Sequence, residues 1–273
     1  MPNSVNTNVG AIIALSSLRG VNKEFDVTSK RVQTGYKVAD AQDDAAVFSV
    51  AQGIRGDIKA KASVQTSLAG GEGLAQVTNA ALKGISDTIG EIRAKLALLG
   101  SDSISADQRT IYNNDVQNLV TTMNSYADQA NFNGKNLINT GGASASFVAD
   151  TAGGTLTLTA VDIEAAIGVF DAIPAVAGSG ATFTAANSGL TTLETAVNNA
   201  MASIAASGRA ITLQKNFTDD LVDAAKKGLG ALVDADVAAE SASLQALQVR
   251  QQLNIQALSI ANQQPNTLLS LFR

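Results

Sequence analysis

The chain has 273 residues, of which 45% are apolar, 16% charged and only 4% aromatic, and its net charge is −5 at neutral pH. It contains no Cys, His or Trp, which excludes a disulfide framework, a thiolate nucleophile, a Cys/His zinc site and a Ser-His-Asp triad. The acidic balance argues against a basic nucleic-acid-binding surface, so we expect no nucleic-acid partner.

Both ends of the chain are free of charge over long stretches. Residues 1–18 carry no charged side chain, so the basic region of a secretory signal is missing and we expect no cleaved signal. No run of 18 apolar residues occurs, and the uncharged stretch 251–272 is interspersed with Gln and Asn. Those amides would lack partners in lipid, so we expect no membrane span and no membrane partner.

The first half of the chain has helical periodicity. Residues 5–32 are predicted to form one helix and residues 41–99 a longer helical region, because apolar residues recur at steps of 3 and 4. The stripe of the first helix is Ala11, Leu15, Leu18, Asn22 and Phe25. The longer region has two: Val47, Val50, Ile54 and Ile58, and later Ile85, Ile89, Ile92, Leu96 and Leu99.

Three glycines interrupt the second of these helical regions at Gly70-Gly71-Glu72-Gly73. Glycine in a helix interior costs about 0.5–1 kcal/mol relative to alanine, so the helix is expected to be weak or bent there. A phosphate-binding loop is not indicated, since no Lys-Ser/Thr follows and Gln76 stands where the third glycine of G-x-G-x-x-G belongs.

A third helix and a tight turn follow. Gly100 ends the second helical region, residues 101–103 offer N-cap serines, and a further stripe consists of Tyr112, Val116, Leu119, Met123 and Tyr126. The segment Phe132-Asn133-Gly134-Lys135 then predicts a turn, because Asn-Gly readily adopts positive φ.

The middle of the chain has a different composition. Residues 136–208 contain no Lys or Arg, and two short runs, 155–159 and 181–184, alternate with period two. We therefore predict a small β-hairpin or meander over 141–187. We expect residues 143–187 to tolerate replacement by a short Gly/Ser linker better than any equal length elsewhere, because less buried area should be lost. Helical spacing returns with Leu193, Val197, Met201 and Ile204, and again from Ala235 to about Pro265.

The predicted fold is mainly α: an elongated antiparallel helical bundle or coiled coil built from paired N- and C-terminal helices, with a small β-hairpin insert. Three domains are expected. Residues 1–36 with 235–273 form an inner terminal coiled-coil domain, residues 37–140 with 188–234 a helical rod, and residues 141–187 a variable insert.

Three classes of function remain open at this point. An enzyme would have to use carboxylates, and Asp43-Asp44 or the group Asp219, Asp220 and Asp223 would be the candidates for a hard cation; a helix N-terminus and a solvated face explain them more simply. A secreted adhesin or binding module would rest on the Ser/Thr-rich middle. A self-assembling structural protein explains the uncharged, Leu/Ile-rich ends, because a buried unpaired charge is costly. We therefore predict no catalytic residue, metal or cofactor.

At the two ends the chain resembles a bacterial flagellin over roughly residues 1–140 and 190–273. The opening Asn6-Thr7-Asn8 with Ala11 and Ala14-Leu15, the segment Thr34-Gly35 followed by 39–46 (ADAQDDAA), and the turn 132–135 are similar to family motifs. The ending is most similar, and comprises Asp234-Ala235-Asp236, Ala239-Glu240, Gln256-Ala257-Leu258, Ala261-Asn262-Gln263, Pro265, Leu268-Leu269-Ser270-Leu271 and Arg273.

The resemblance implies a subunit that is exported unfolded through the flagellar type III apparatus and polymerises into the extracellular filament used for swimming. The implied partners are the chain itself and other flagellins, a hook–filament junction protein, a filament cap, and an export chaperone on the C-terminal segment. The assembly seam is predicted at large apolar residues of the two ends. They are Leu15, Leu18, Phe25, Leu244, Leu247, Val249, Ile255, Leu258, Ile260, Leu269 and Leu271.

Two departures from the family pattern stand out. The middle segment is short, so large outer domains are absent. The segment that many flagellins present to a Toll-like receptor, Q-R-V-R-E-L-A-V, differs here at Ile92, Arg93, Ala94 and Lys95, which argues against the same recognition. Ser and Thr residues within 144–195 are possible carriers of O-linked sugars, with an unmodified polar surface as the alternative.

A polar stripe near the C-terminus repeats every eleven residues, which is about 3.67 per turn and keeps the stripe on one helix face. Its members are Gln245, Gln248, Gln252, Gln256, Ser259, Gln263, Thr267 and Ser270. An ordinary solvent face carries Lys and Glu, whereas this one carries no charge. We predict that it lines the central channel of the filament; hydrogen bonding between amides of neighbouring helices is the alternative.

Overall fold

The structure is a computed structural model that describes the backbone of residues 7–270 and the side chains of residues 7–263. The chain consists mainly of helices. In chain order the elements are α1 (Val9–Thr34), α2 (Ala45–Leu99), α3 (Ala106–Gln129), β1 (Asn131–Phe132), β2 (Lys135–Asn136), β3 (Ala145–Val148), β4 (Thr155–Leu158), α4 (Ile163–Asp171), α5 (Ala181–Val233) and α6 (Val237–Ser270).

Two compact units divide the chain. The terminal unit comprises the chain up to Ile58 together with the chain from Ala224, and the central unit comprises Lys59–Asp223. The predicted mainly helical fold with a small β insert is confirmed, while the three-domain division at residues 36, 140, 187 and 234 stays a prediction.

In the terminal unit α1 and α6 pack against each other in antiparallel orientation. Gly35 ends α1 with φ 71°, and its N–H donates to the Arg31 carbonyl at 2.8 Å, as in a left-handed C-cap. The connections next to this end pair with each other, since Lys37 N–H donates to the Val233 carbonyl at 2.7 Å and Ala235 N–H to the Gly35 carbonyl at 2.9 Å. Val38 and Val233 form a small core there with Ala51.

The core of the central unit lies where the predicted helical stripes meet. All five members of the stripe from Ile85 to Leu99 are buried, so this stripe is confirmed. In the next stripe Val116 and Met123 are buried, whereas its last member, Tyr126, is exposed. The third helix begins later than predicted, at a capping box. Ser105 Oγ accepts from Gln108 N–H while the Gln108 side chain accepts from Ser105 N–H, because only Ser105 has Gln three residues on.

The glycine-rich stretch lies inside one continuous helix, Ala45–Leu99, and the expectation that this helix is weak or bent there stays a prediction. A β-carbon on Gly71 would lie 3.0 Å from the Phe147 ring, and one on Gly73 would lie 2.7 Å from Phe132 Cζ. Aromatic rings from the two hairpins occupy the space that larger side chains would fill. Their packing against α2 compensates for the low helix propensity of glycine.

The two hairpins are antiparallel and lie close together in the sequence. The turn between β1 and β2 has φ 50° at Asn133 and φ 77° at Gly134, which confirms the Asn-Gly turn as the type with two positive φ values. In the second hairpin β3 pairs with β4, with Ala145 opposite Leu158 and Val148 opposite Thr155, so the strand predicted at 155–159 is confirmed.

The predicted strand at 181–184 is wrong, because these residues form the first turn of α5. Phe183 packs against Gly100, and the run continues into the buried series Ala186, Leu190, Leu193 and Val197. A four-residue alternation fits a helix start equally well, and tertiary packing decides between them. The sequence reasoning also missed α4, which Asp162 caps at its start and which buries Ile163, Ile167 and Phe170.

The last helix extends beyond the predicted end at Pro265 and reaches Ser270. Proline is normally excluded from a helix interior because it has no N–H for the carbonyl four residues earlier. That carbonyl belongs to Ala261, and it accepts a hydrogen bond from Asn8 instead.

Candidate functional site

The helix pair α1–α6 is the candidate site, because both of the uncharged ends lie in it. On α1 the less exposed positions recur at helical spacing and include Ala11, Ala14, Leu18, Val21 and Phe25. On α6 the corresponding positions are Leu244, Leu247, Gln251, Asn254, Leu258 and Ala261. Each helix therefore directs one stripe at the other and leaves the remaining faces open.

The structure divides the predicted seam residues into two groups. Leu18, Phe25, Leu244 and Leu258 are half-buried, and Leu247 is buried, on the side where α1 and α6 meet. The second group is exposed within the chain: Leu15 is 38% exposed, Val249 56%, Ile255 54% and Ile260 65%. The side chain of Leu269 and all of Leu271 lie outside the described residues.

The exposed apolar side chains extend beyond the predicted set. On α1 they include Val9, Ile12 and Ile13, and on α6 they include Leu253. Large apolar residues gathered at helical spacing on open faces indicate an interaction surface, whereas single ones would need no explanation. Among the described residues of a single chain, nothing buries these large apolar side chains.

The predicted polar stripe is open to solvent over its described length. Gln245, Gln248, Gln252, Gln256, Ser259 and Gln263 are all exposed on α6. By helical spacing they lie on the side away from the stripe that contacts α1. The side chains of Thr267 and Ser270 lie outside the described residues.

Among the described residues, polar side chains join α1 and its N-cap to α6, and the sequence patterns predicted none of these contacts. Arg31 Nη1 lies 3.1 Å from Glu240 Oε1, Gln251 Nε2 donates to Asn22 Oδ1 at 2.8 Å, and Asn8 Nδ2 donates to the Ala261 carbonyl at 2.7 Å. The one available signal was Asn22, an amide within an otherwise apolar stripe, since such a group needs a partner when it is half-buried.

An ion-paired loop connects α1 to α2. Lys30 Nζ lies 2.7 Å from Asp40 Oδ2 and 3.0 Å from Asp43 Oδ1. The hydrogen bond from Lys30 lowers the pKa of both carboxyl groups, and the N–H groups of Gln42 and Ala39 lower the pKa of Asp40 and Asp43 respectively. The two carboxylates raise the pKa of Lys30 in turn.

Asp43, Asp44 and Asp219, which were candidates for a cation site, have structural partners. Asp43 belongs to the ion-paired loop, and Asp44 Oδ1 accepts from Val47 N–H at 3.0 Å at the start of α2. Asp219 accepts a hydrogen bond from Gln65. Within the part of the chain that the structure describes, no group of three or more Asp and Glu is arranged to hold a metal ion.

The segment near the end of α2 that differs from the receptor motif contacts other residues of the central unit through ion pairs and burial. Ile92 is buried and Ala94 exposed, while Arg93 forms an ion pair with Glu194. Lys95 Nζ lies 2.9 Å from Asp115 Oδ2 and 5.5 Å from the centre of the Tyr112 ring.

Comparison with known proteins assigns the family. Residues 5–142 match the bacterial flagellin N-terminal helical region, and residues 186–272 match the flagellin C-terminal helical region. The chain belongs to the bacterial flagellin family. It is 34% identical to the flagellin FljK of Caulobacter vibrioides and 35% identical to a flagellin of Brucella melitensis, with 99% of both chains covered in each case.

Solved structures show the same fold. A crystal structure of Bacillus cereus flagellin covers 56% of this chain and 88% of its own, with 20% identity and a TM-score of 0.51. A hook-associated protein from Vibrio parahaemolyticus, described as putative, covers 70% of this chain and all of its own, with 13% identity and a TM-score of 0.59.

The family determines the general function. This flagellin is a structural subunit of the flagellar filament, and flagellins self-associate by polymerising into that filament. The family is not known for enzymatic activity, and the comparisons do not favour the adhesin alternative. None of the helices in the described part of the chain has the length and apolar character of a membrane span.

Proposed function

We propose that this flagellin enters the filament through the α1–α6 pair, and that two surfaces of the pair have different roles. The exposed apolar residues Leu15, Val249, Ile255 and Ile260 contact neighbouring copies. The uncharged polar stripe from Gln245 to Ser270 faces a water-filled central channel. The residues of the predicted seam that are less exposed, such as Leu247, hold the two helices of one copy together.

The observation that carries the proposal is the separation of these surfaces on α6. Every described member of the polar stripe is exposed, although the same helix also exposes Val249, Leu253 and Ile260. By helical spacing, Val249, Leu253 and Ile260 form a row directly beside the polar stripe, and Ile255 lies along its other edge. A copy in a closed helical array needs one face toward its neighbours and one toward the solvent-filled interior, and α6 offers both.

The lack of charge on the stripe suits a channel through which unfolded chains travel. A lysine- or glutamate-lined channel would hold segments of the opposite charge, whereas amide and hydroxyl groups attract neither sign strongly. Export through the flagellar type III apparatus to the extracellular filament belongs to this proposal. So do a hook–filament junction protein, a distal cap and a chaperone on the C-terminal segment as partners.

The experiment is a triple substitution, Gln252→Lys, Gln256→Lys and Gln263→Lys, in the full chain. We expect filaments to form from the purified protein, since the apolar surfaces are intact, but to grow slowly and remain short on cells. The matched control places three lysines at exposed glutamines off the stripe, Gln52→Lys, Gln76→Lys and Gln117→Lys, and should give filaments of normal length.

Normal filament length on cells with the stripe variant would contradict the channel assignment. A helical reconstruction of the wild-type filament that places these side chains away from the lumen would do the same.

A further inference from the structure

One asparagine side chain hydrogen-bonds to both helices at one end of the α1–α6 pair. Asn8 is the N-cap of α1, and its Oδ1 accepts a hydrogen bond from Ala11 N–H at 3.0 Å. Its Nδ2 donates to the Ala261 carbonyl of α6 at 2.7 Å, in a half-buried position. The two partners are 253 residues apart along the chain from Asn8 to Ala261.

The carbonyl of Ala261 lacks its usual helical donor. In an α-helix it would accept from the N–H of residue 265, and residue 265 is a proline, which has none. α6 nevertheless continues through Pro265 to Ser270. The Asn8 amide therefore donates the hydrogen bond that residue 265 of α6 cannot donate.

The helices approach closely enough at this end for a short side chain to reach across. A β-carbon placed on Gly10 of α1 would lie 3.8 Å from Ala261 Cβ. Asparagine is the side chain that fits here, because its acceptor and its donor sit on one short amide. Aspartate keeps the acceptor and loses the donor, and serine has a single oxygen on a shorter stem.

We propose that Asn8 is a positioning residue that fixes the register of α1 against α6 and carries α6 through Pro265. The requirement for a donor at one particular carbonyl permits a single register, since a shift of one residue would present a carbonyl that already has its helical partner. The outward apolar residues Ile12, Ile13 and Ile260 are then presented in one fixed relation. The proposal concerns the packing of the two helices, and it relies on filament assembly only as the quantity measured in the test.

The test is a double-mutant cycle between Asn8→Ser and Pro265→Ala in the full chain. Serine still offers a cap to α1, and alanine in place of the proline returns an N–H to the Ala261 carbonyl. With Pro265 present, we expect Asn8→Ser to raise the critical concentration for polymerisation about tenfold, the scale of one lost hydrogen bond at a carbonyl left unpaired. In the Pro265→Ala background, the same substitution should raise it less than about threefold.

A second variant separates the cap from the contact with α6. Asn8→Asp retains the acceptor for Ala11 N–H, so hydrogen exchange in assembled filaments should show α1 amides near residue 11 still protected. Protection in α6 should fall in the turn that follows Ala261. Pro265→Ala should restore this protection in Asn8→Asp, because alanine returns an N–H to the Ala261 carbonyl.

Equal increases in critical concentration with Pro265 and in the Pro265→Ala background, or no increase in either, would overturn the proposal. If Asn8→Ser forms no filament with Pro265 but does so once Pro265→Ala is added, the proposal is supported; if it forms none in either background, it is overturned. Wild-type protein from the same preparation serves as the control for assembly. If the wild type forms filaments and the variants do not behave as expected, the role of Asn8 is wrong; if the wild type forms none, the proposed function is wrong.

Discussion

The ring of Phe132 lies directly against the α-carbon of Gly73, in a position where a β-carbon on Gly73 would be 2.7 Å from Phe132 Cζ and 2.9 Å from Cε2. Phe132 ends the first strand of the Asn-Gly hairpin, and Gly73 lies in the middle of α2. The ring can lie this close because Gly73 has no side chain, and the contact packs the hairpin against α2.

Gly73→Ala should consequently destabilise the central unit by about 1–3 kcal/mol, the usual cost of forcing extra volume into a packed contact. Gly90→Ala is the matched control on the same helix, because a β-carbon there meets no atom within 4 Å. It should stabilise by about 0.5–1 kcal/mol through helix propensity alone. Urea unfolding of both variants gives the comparison, and a stabilising Gly73→Ala would refute the packing account.

The charge on Lys30 should make the loop between α1 and α2 sensitive to pH. Because Lys30 lowers the pKa of Asp40 and Asp43, its stabilising effect is present above the ordinary carboxyl pKa and is lost as pH falls through the lowered values. The raised pKa of Lys30 adds stability at neutral pH that is lost as pH rises through it.

NMR titration of the two carboxyl groups measures this directly. Lys30→Met should raise the pKa of Asp40 and of Asp43 toward ordinary values, while Lys23→Met, which removes the same charge from α1, should leave both nearly unchanged. The stability difference between wild type and Lys30→Met should disappear in acid. Unaltered carboxyl titration in Lys30→Met would show that the ion pairs are not formed in solution.

Replacement of the middle segment should cost core contacts, although the sequence predicts that residues 143–187 tolerate replacement better than any equal length elsewhere. It contributes Leu158, Ile163, Ile167 and Phe170 to the core. Ile167→Ala should cost about 2–5 kcal/mol, as for a large apolar side chain removed from a packed core. Val169→Ala, on the same short helix but 67% exposed, should stay within about 0.5 kcal/mol.

Thermal unfolding followed by circular dichroism distinguishes these two variants from wild type. Similar small effects from both would indicate that α4 is not part of the core.

Deletion of residues 254–273 should leave a soluble protein that no longer polymerises. The central unit has its own core within Lys59–Asp223, so its unfolding transition should persist. The deletion removes Leu258 and Ala261 from contact with α1 and takes away the outward Ile255 and Ile260. Sedimentation under conditions in which the full chain forms filaments provides the measurement, and pelleted polymer of the truncated chain would contradict the assembly role.

Local rules determined much of this molecule. The steps of 3 and 4 that place Ile85 and Ile92 on one face also place them in the core, because helical periodicity needs no distant partner to be expressed. The Asn133-Gly134 turn follows from two residues that tolerate positive φ. Helical periodicity also predicts the uncharged stripe from Gln245 onward, and the exposure of its described members agrees with that spacing.

Tertiary contacts decided the rest. Whether 181–184 becomes strand or helix depends on Phe183 packing against Gly100, and whether Gly73 weakens α2 depends on Phe132, an aromatic ring 59 positions further along the chain. Pro265 ends a helix by local rules, yet α6 passes through it because Asn8 reaches the carbonyl that proline leaves unpaired. Such outcomes require knowing which distant groups meet, since a hydrogen bond or a packed ring acts through space and leaves no periodic trace in the sequence.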